Sequence, residues 1–260
     1  MIIPIDYVIV VSLITARIFG LFITAPVFNS SQLMPGMVRV IMMILLSMLI
    51  SFAVPLPDVI PAQPISLFLA LVMEIVIGLC LGFTIQLLIV GIELAGSIID
   101  TQAGISAASM FDPLRGDQVT IIARLYRQLI LLVFLLLNGH HVVLLAIRTT
   151  FDVIPVGMAN ELITGDHFLY VVSLGSMMFE VGWRFSAPVI VIIFFVDFGF
   201  GMLSRIASQV NVFQLSFQLK PMVMILVLLL IIPYFIEDVS ELLDKIPDLM
   251  GDFILVGASQ

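Results

Sequence analysis

Charge is scarce in this sequence. Only 11% of its 260 residues are Asp, Glu, Lys or Arg, against 62% hydrophobic ones, and the mean hydropathy is +1.26. Soluble globular domains are roughly 45–50% apolar and about 25% charged. Ten basic and eighteen acidic residues cannot furnish the polar surface that water requires of a chain this long. The basic residues are scattered singly and the net charge is -8, which argues against a nucleic-acid partner, because that affinity comes from clustered Lys and Arg on phosphates. Cysteine is nearly missing as well. Cys80 stands alone inside an apolar run, which excludes an intramolecular disulfide or a cysteine-based metal cluster and reads as a small buried hydrophobe. Met1 to Ser12 carry Asp6 but no Lys or Arg, so they lack the positive start of a secretory signal and are expected to belong to the mature protein. Glycine-rich phosphate loops are also absent, leaving nothing to carry ATP hydrolysis.

What is present is a series of long apolar stretches: Tyr7 to Phe28, Val38 to Val54, Ile65 to Val90, Val119 to Leu137, Phe168 to Val196 and Met222 to Ile236. Several reach the roughly 20 residues needed to cross a hydrocarbon core. In lipid the backbone must satisfy its own hydrogen bonds, and these runs lack the period-two alternation of barrel strands. The sequence predicts an all-α, multi-helix integral membrane protein. Breakers punctuate it at Pro35-Gly36, at Pro55, Pro57, Pro61 and Pro64, at Asp112-Pro113 and Gly116, and at Pro155-Val156-Gly157. No internal repeat is visible, so residues 1–236 read as one helical membrane domain. Residues 237–260 read as a tail, acidic and amphipathic from Glu237 to Asp252, that is expected outside the apolar layer.

Charges nevertheless sit within or beside the apolar runs: Arg17, Glu74, Glu93, Arg124, Arg127, Glu180, Arg184 and Asp197. Such residues are costly in lipid, and so many together are expected to pair or to face protein and trapped water, though some could snorkel to an interface. Glu180 and Arg184, four apart, share a helix face and read as a structural pair of intramembrane charges. Gly78 and Gly82 form a G-x-x-x-G pair, Gly91, Ala95 and Gly96 extend a small-residue stripe, and Gly199 and Gly201 follow Asp197. Each is expected to mark close helix contact.

Catalytic chemistry finds little support. His140 and His141 are adjacent, so their side chains diverge and cannot readily share one ion; no H-E-x-x-H pattern exists. An intramembrane acid protease would need two convergent carboxylates, and no motif selects a pair from Asp100, Asp112 and Asp197. No enzyme activity and no cofactor is expected. The most informative stretch is DTQAGISAASMFDPLRGDQ, Asp100 to Gln118: rich in Gly, Ala and Ser, it is unsuited to lipid and suited to lining or plugging a protein-walled passage, or to packing as a re-entrant loop. Met110 and Phe111 stand at its tip, bulky residues able to dewet a constriction and still move aside. A second stretch, RIASQVNVFQLSFQLK at Arg205 to Lys220, alternates polar residues that could cross-link helices or line water.

At these two stretches the chain resembles the FliR family, the flagellar member of a group that also includes the T component of virulence-type secretion systems. The resemblance rests on G-x-S-x-x-x-M-F-D-P at Gly104 to Pro113 and F-L-L-L-N-G-H-H-x-x-L-L-A-I at Phe134 to Ile147, then Thr150-Phe151 and Pro155. It continues through Gly201-x-x-x-Arg205, Gln209, Asn211-Val212-Phe213, Phe217 and Lys220, with Arg17, Ala25-Pro26-Val27-Phe28 and Arg39 early in the chain. One departure is Ser208, where the family pattern R-x-x-P-Q-x-N-x-F has proline. The resemblance implies bent helical hairpins, a FliP-like portion followed by a FliQ-like portion. It implies a single-copy subunit of the flagellar type III secretion export gate in the bacterial inner membrane at the basal body. Its partners would be FliP, FliQ and FlhB and its cargo unfolded flagellar proteins, with energy supplied from outside the subunit. Met110, Phe111, Asp112 and Pro113 would then form the plug, and Gln209, Asn211, Phe213 and Lys220 would lie at subunit contacts. Two alternatives differ in kind: an ion-coupled secondary transporter using Glu74, Glu93 or Asp197 as proton carrier, or the equivalent subunit of a virulence-type injectisome.

Overall fold

The computed structural model describes residues 5–29, 35–54, 63–106, 120–158, 165–207, 209 and 211–255. These residues form helices and turns, with no strand among them. In chain order the helices are α1 (Ile5–Thr24), α2 (Pro26–Asn29), α3 (Gly36–Ala53), α4 (Pro64–Ala103), α5 (Ile121–Leu136), α6 (Gly139–Val153), α7 (Gly165–Ile206), α8 (Val212–Asp244) and α9 (Ile246–Leu255). Five described helices, α1, α3, α4, α7 and α8, are long and apolar enough to cross a membrane. The chain is a multi-helix, all-α protein of membrane-spanning character. Pro26 and Pro64 occupy first helical positions, where a missing N–H costs nothing. Pro188, Pro221 and Pro233 lie inside α7 and α8, as membrane helices tolerate.

Some helices depart from the apolar runs for a physical reason. Beyond Val90 the density of large apolar residues falls, yet α4 continues to Ala103, because Ile92, Ala95, Ile99 and Ala103 recur at helical spacing and are all fully buried. The apolar runs also miss α6 as a helix of its own. It is too short, and too interrupted by Arg148, Thr149, Thr150 and Asp152, to register as a spanning segment, and Asn138 separates it from α5 by adopting the left-handed conformation at φ 57°.

The described chain divides into two compact units. The first comprises residues 1–87, 138–175 and 243–260. Here α1 lies against α3, with Tyr7 Oη and Ser51 Oγ 3.0 Å apart, and against the first half of α4. The α1–α4 approach is backbone on backbone. A β-carbon at Gly20 would collide with the Ile75 carbonyl, one at Gly78 with the Arg17 carbonyl, and one at Gly82 with Thr24 and, at 2.8 Å, with the Leu21 carbonyl. The G-x-x-x-G pair thus marks close packing, as expected. In the same unit α9 packs against α6 and buries Ile246 and Met250, and the Tyr170 hydroxyl donates to the Leu249 carbonyl at 2.8 Å.

The second unit comprises residues 88–137 and 176–242. The small-residue stripe again sets the spacing. A β-carbon at Gly91 would come within 2.9 Å of the Met178 carbonyl on α7, and one at Gly96 within 2.5 Å of Ala123 Cα on α5. Phe235 on α8 joins the core between Tyr126 of α5 and Phe185 of α7, with ring centroids 5.0 and 5.3 Å away. Gly199 and Gly201 do not behave as expected. Among the described residues nothing lies within 4 Å of where their β-carbons would stand, so no close contact with a described residue explains them.

Candidate functional site

In the first unit the internal charges form a closed network. Arg17 on α1 donates through Nε to Glu74 Oε2 on α4 at 2.6 Å, through Nη1 to the Thr150 hydroxyl at 3.0 Å, and through Nη2 to the Ile154 carbonyl at 3.1 Å. Its guanidinium stands 3.9 Å from the centre of the Phe151 ring. Glu74 Oε1 accepts the Gly157 N–H at 3.0 Å. That amide belongs to the expected break at Pro155-Val156-Gly157, a turn closed by Met158 N–H to the Pro155 carbonyl at 3.2 Å, with Gly157 at φ 86°, a conformation that only glycine adopts freely. The pair is 1% and 0% exposed. Buried charges with this many satisfied bonds are structural pins, and Glu74 has both oxygens engaged.

In the second unit Glu93 on α4 pairs with Arg127 on α5 at 2.8 Å, and Asp197 on α7 pairs with Lys220 on α8 at 2.6 Å. Each of the three carboxylates considered as the carrier of a proton-coupled transporter therefore faces a cation. Glu180 and Arg184 share α7 as expected, but Arg184 reaches to α8, meeting Asp238 at 2.6 Å and Glu241 at 3.0 Å, while Glu180 is exposed. The helical spacing that put them on one face could not reveal this second helix.

Of the expected contact residues, Gln209 and Phe213 are exposed, and Lys220 has the partner just described. The Asn211 amide oxygen accepts the Gln214 N–H at 3.2 Å, the bond of a helix N-cap, and so starts α8. Met110, Phe111, Asp112 and Pro113 lie outside the described residues, as does Ser208. What is described is the place where their segment leaves and rejoins the helices. α4 ends in a Schellman motif: Gly104, at φ 78°, donates to the Thr101 carbonyl at 3.2 Å, and Ile105 donates to the Asp100 carbonyl at 3.1 Å. Phe217 of α8 lies alongside, its ring 3.5 Å from where a β-carbon on Gly104 would be, and stacks edge-on with Phe213 at 4.8 Å. The two stretches singled out by composition thus meet at Gly104. At the far end Thr120 occupies the N-cap position of α5 without making a side-chain cap bond. The cap comes instead from Asp100, whose Oδ2 accepts the N–H groups of Ile122 at 2.8 Å and Ala123 at 3.3 Å. Nothing in the sequence marked Asp100 for this role, since a cap from another helix has no local spacing.

Residues 8–246 match the family described as bacterial export proteins, family 1. The chain belongs to that family. It is 31% identical to the flagellar biosynthetic protein FliR of Escherichia coli (strain K12), over 92% of this chain and 90% of that protein. It is 30% identical to the FliR protein of Bacillus subtilis (strain 168), over 95% of each. The secretion system apparatus protein SsaT of Salmonella typhimurium is similar at 26% identity over 62% of each chain. The FliR likeness carried by the motifs therefore extends along nearly the whole chain. Two of those motif residues have a visible reason in this bacterial export protein: Gly104 terminates α4 with a positive φ, and Asn138 breaks the chain between α5 and α6 with another.

Proposed function

We propose that this bacterial export protein is a core subunit of the flagellar type III secretion export gate, lodged in the bacterial inner membrane at the basal body. It would work there with FliP, FliQ and FlhB proteins to pass unfolded flagellar proteins. The observation that carries the reading is where charge and apolar surface lie. Arg17, Glu74, Glu93 and Asp197 are matched to partners inside the chain, while large apolar residues such as Leu49, Phe52, Phe194, Phe195, Leu229 and Leu230 stand exposed on α3, α7 and α8. That surface suits lipid and neighbouring apolar subunits, and the three carboxylates weighed as proton carriers are each held by a cation. The coverage of the FliR relatives, set against the shorter match to SsaT, favours the flagellar over the injectisome reading.

On this reading the subunit gates passively. Met110 and Phe111, with Asp112 and Pro113, fill the closed passage and exclude water, and engagement of substrate moves them aside. The test is to replace Met110 and Phe111 with Gly in the assembled complex and to follow ion leak and export of flagellar subunits together. A leaky membrane with continued export is expected. Abolished export with no leak would mean that these residues do something other than fill space.

A further inference from the structure

Arg39 is the one charged residue of α3, and it lines a cleft of about 270 Å³ between the end of α1 and the start of α3. Phe19, Phe22 and Ile23 of α1 and Val40 and Met43 of α3 give the cleft apolar walls, and no acidic residue lines it. Phe22 is buried and stacks on Phe28 with ring centroids 4.5 Å apart, which fixes the floor, while Phe19, Ile23 and Val40 are exposed and open the cleft outward. Gly36 also lines it, and a β-carbon there would meet nothing within 4 Å among the described residues. Pro35, in the N-cap position of α3, makes no side-chain cap bond, and the helical ladder begins with the Arg39 N–H on the Pro35 carbonyl at 3.2 Å. The N–H groups of Gly36, Met37 and Val38 precede that bond and give the helix end its positive character. With 18 residues α3 is about 27 Å long, close to the roughly 30 Å of a hydrocarbon core. A spanning α3 therefore sets its first turns, and Arg39, at the level of the lipid headgroups, with Met43 one turn deeper.

We propose that this cleft binds an anionic phospholipid: Arg39 and the first N–H groups of α3 take the phosphate, and the apolar walls take the upper part of one acyl chain. A guanidinium carries five N–H donors, so Arg39 can serve a phosphate alongside any bond it makes within the chain. The start of a helix adds backbone donors to the same anion. A free phosphate ion would leave the apolar walls uncovered, and a neutral hydrocarbon would make no use of the cation. A phospholipid of net negative charge answers both, as basic pockets between membrane helices do for acidic headgroups. The volume suits a segment of one chain and not a whole lipid, so the remainder of the molecule stays in the bilayer.

The experiment places the assembled complex in nanodiscs of phosphatidylcholine and phosphatidylglycerol, one of the two carrying a photoactivatable group on its acyl chain, and maps the labelled peptides by mass spectrometry. Residues 19–23 and 36–43 should take about fivefold more label from phosphatidylglycerol than from an equal amount of phosphatidylcholine, the preference that one cation near the surface confers. Arg39→Gln should abolish that preference. Gly36→Leu puts its side chain into open space, so it should preserve complex yield while lowering the label from both lipids. Inorganic phosphate should not displace the lipid. Equal labelling by the two lipids in the unaltered complex overturns the proposal, as does a preference that survives Arg39→Gln or labelling that is unchanged in Gly36→Leu. Displacement by inorganic phosphate would assign the cleft to a free anion, and no label at either segment would mean that a neighbouring subunit covers it; both results end the proposal. Should Arg39→Gln fail to assemble, the preference of the unaltered complex and the Gly36→Leu variant decide the matter.

Discussion

Arg17 and Glu74 stand 57 residues apart in the chain and 2.6 Å apart in space. Removing either one from so dry a site strands the other, which costs about 3–5 kcal/mol, whereas replacing both with apolar residues of similar size is often neutral. Arg17→Met alone should therefore sharply reduce the yield of assembled complex, and Glu74→Leu should do the same. The double variant should recover most of the yield and of the thermal midpoint. If the double change is as damaging as either single one, the bonds to Thr150, Ile154 and Gly157 matter more than the mutual attraction. At this scale the sequence was partly legible. Charges inside apolar runs are expected to pair or to face protein, with snorkelling open to some, and Arg17, Glu74, Glu93, Arg127 and Asp197 are paired while Glu180 is exposed. Which residue each one meets was not legible, as Arg184 makes plain: spacing along one helix offered Glu180, and the actual partners, Asp238 and Glu241, lie on another helix altogether.

Helix ends carry the information that apolar runs do not. Long spans announced themselves by hydropathy, but the ends of α4 and α8 were hidden, because both helices continue past their apolar stretch on buried residues and caps. Asn211 shows how a polar residue can be doubly employed: exposed at its surface, it also supplies the bond that begins α8. Asn211→Leu should destabilise the start of α8 by about 1 kcal/mol through the cap alone. A subunit contact made by the same amide would add about 0.6 kcal/mol, the usual worth of an interhelical polar bond in a membrane. Asn211→Asp separates the two, since Asp caps as well as Asn but cannot donate. Normal complex yield in Asp with reduced yield in Leu would assign the residue to the cap, and reduced yield in both would assign it to the contact. The candidate site was legible in the same uneven way. Gly104 stands inside a family-like motif and not among the breakers, and Asp100, acting on a helix that starts twenty-one residues later, carries no local signal of its role.

The whole molecule turns large apolar faces outward on α3, α7 and α8, including Phe52, Phe194, Phe195, Phe198, Leu229 and Leu230. Detergent can cover such faces, but it cannot reproduce the shape of a neighbouring subunit, and it leaves ion pairs such as Arg184 with Asp238 and Glu241 at an exposed surface where their attraction is weak. Partner subunits that bind only the folded chain add stability by mass action, about 2.7 kcal/mol when present at a hundred times their dissociation constant. The chain purified alone should therefore unfold at a lower temperature than in complex, and should aggregate as detergent is diluted. Adding the partner subunits before heating should raise the midpoint in a concentration-dependent manner. Gel filtration and thermal unfolding of the chain with and without its partners make the comparison. A monodisperse monomer whose midpoint does not move with added partner would mean that these apolar faces are built for lipid alone, and that the assembly is held by other surfaces.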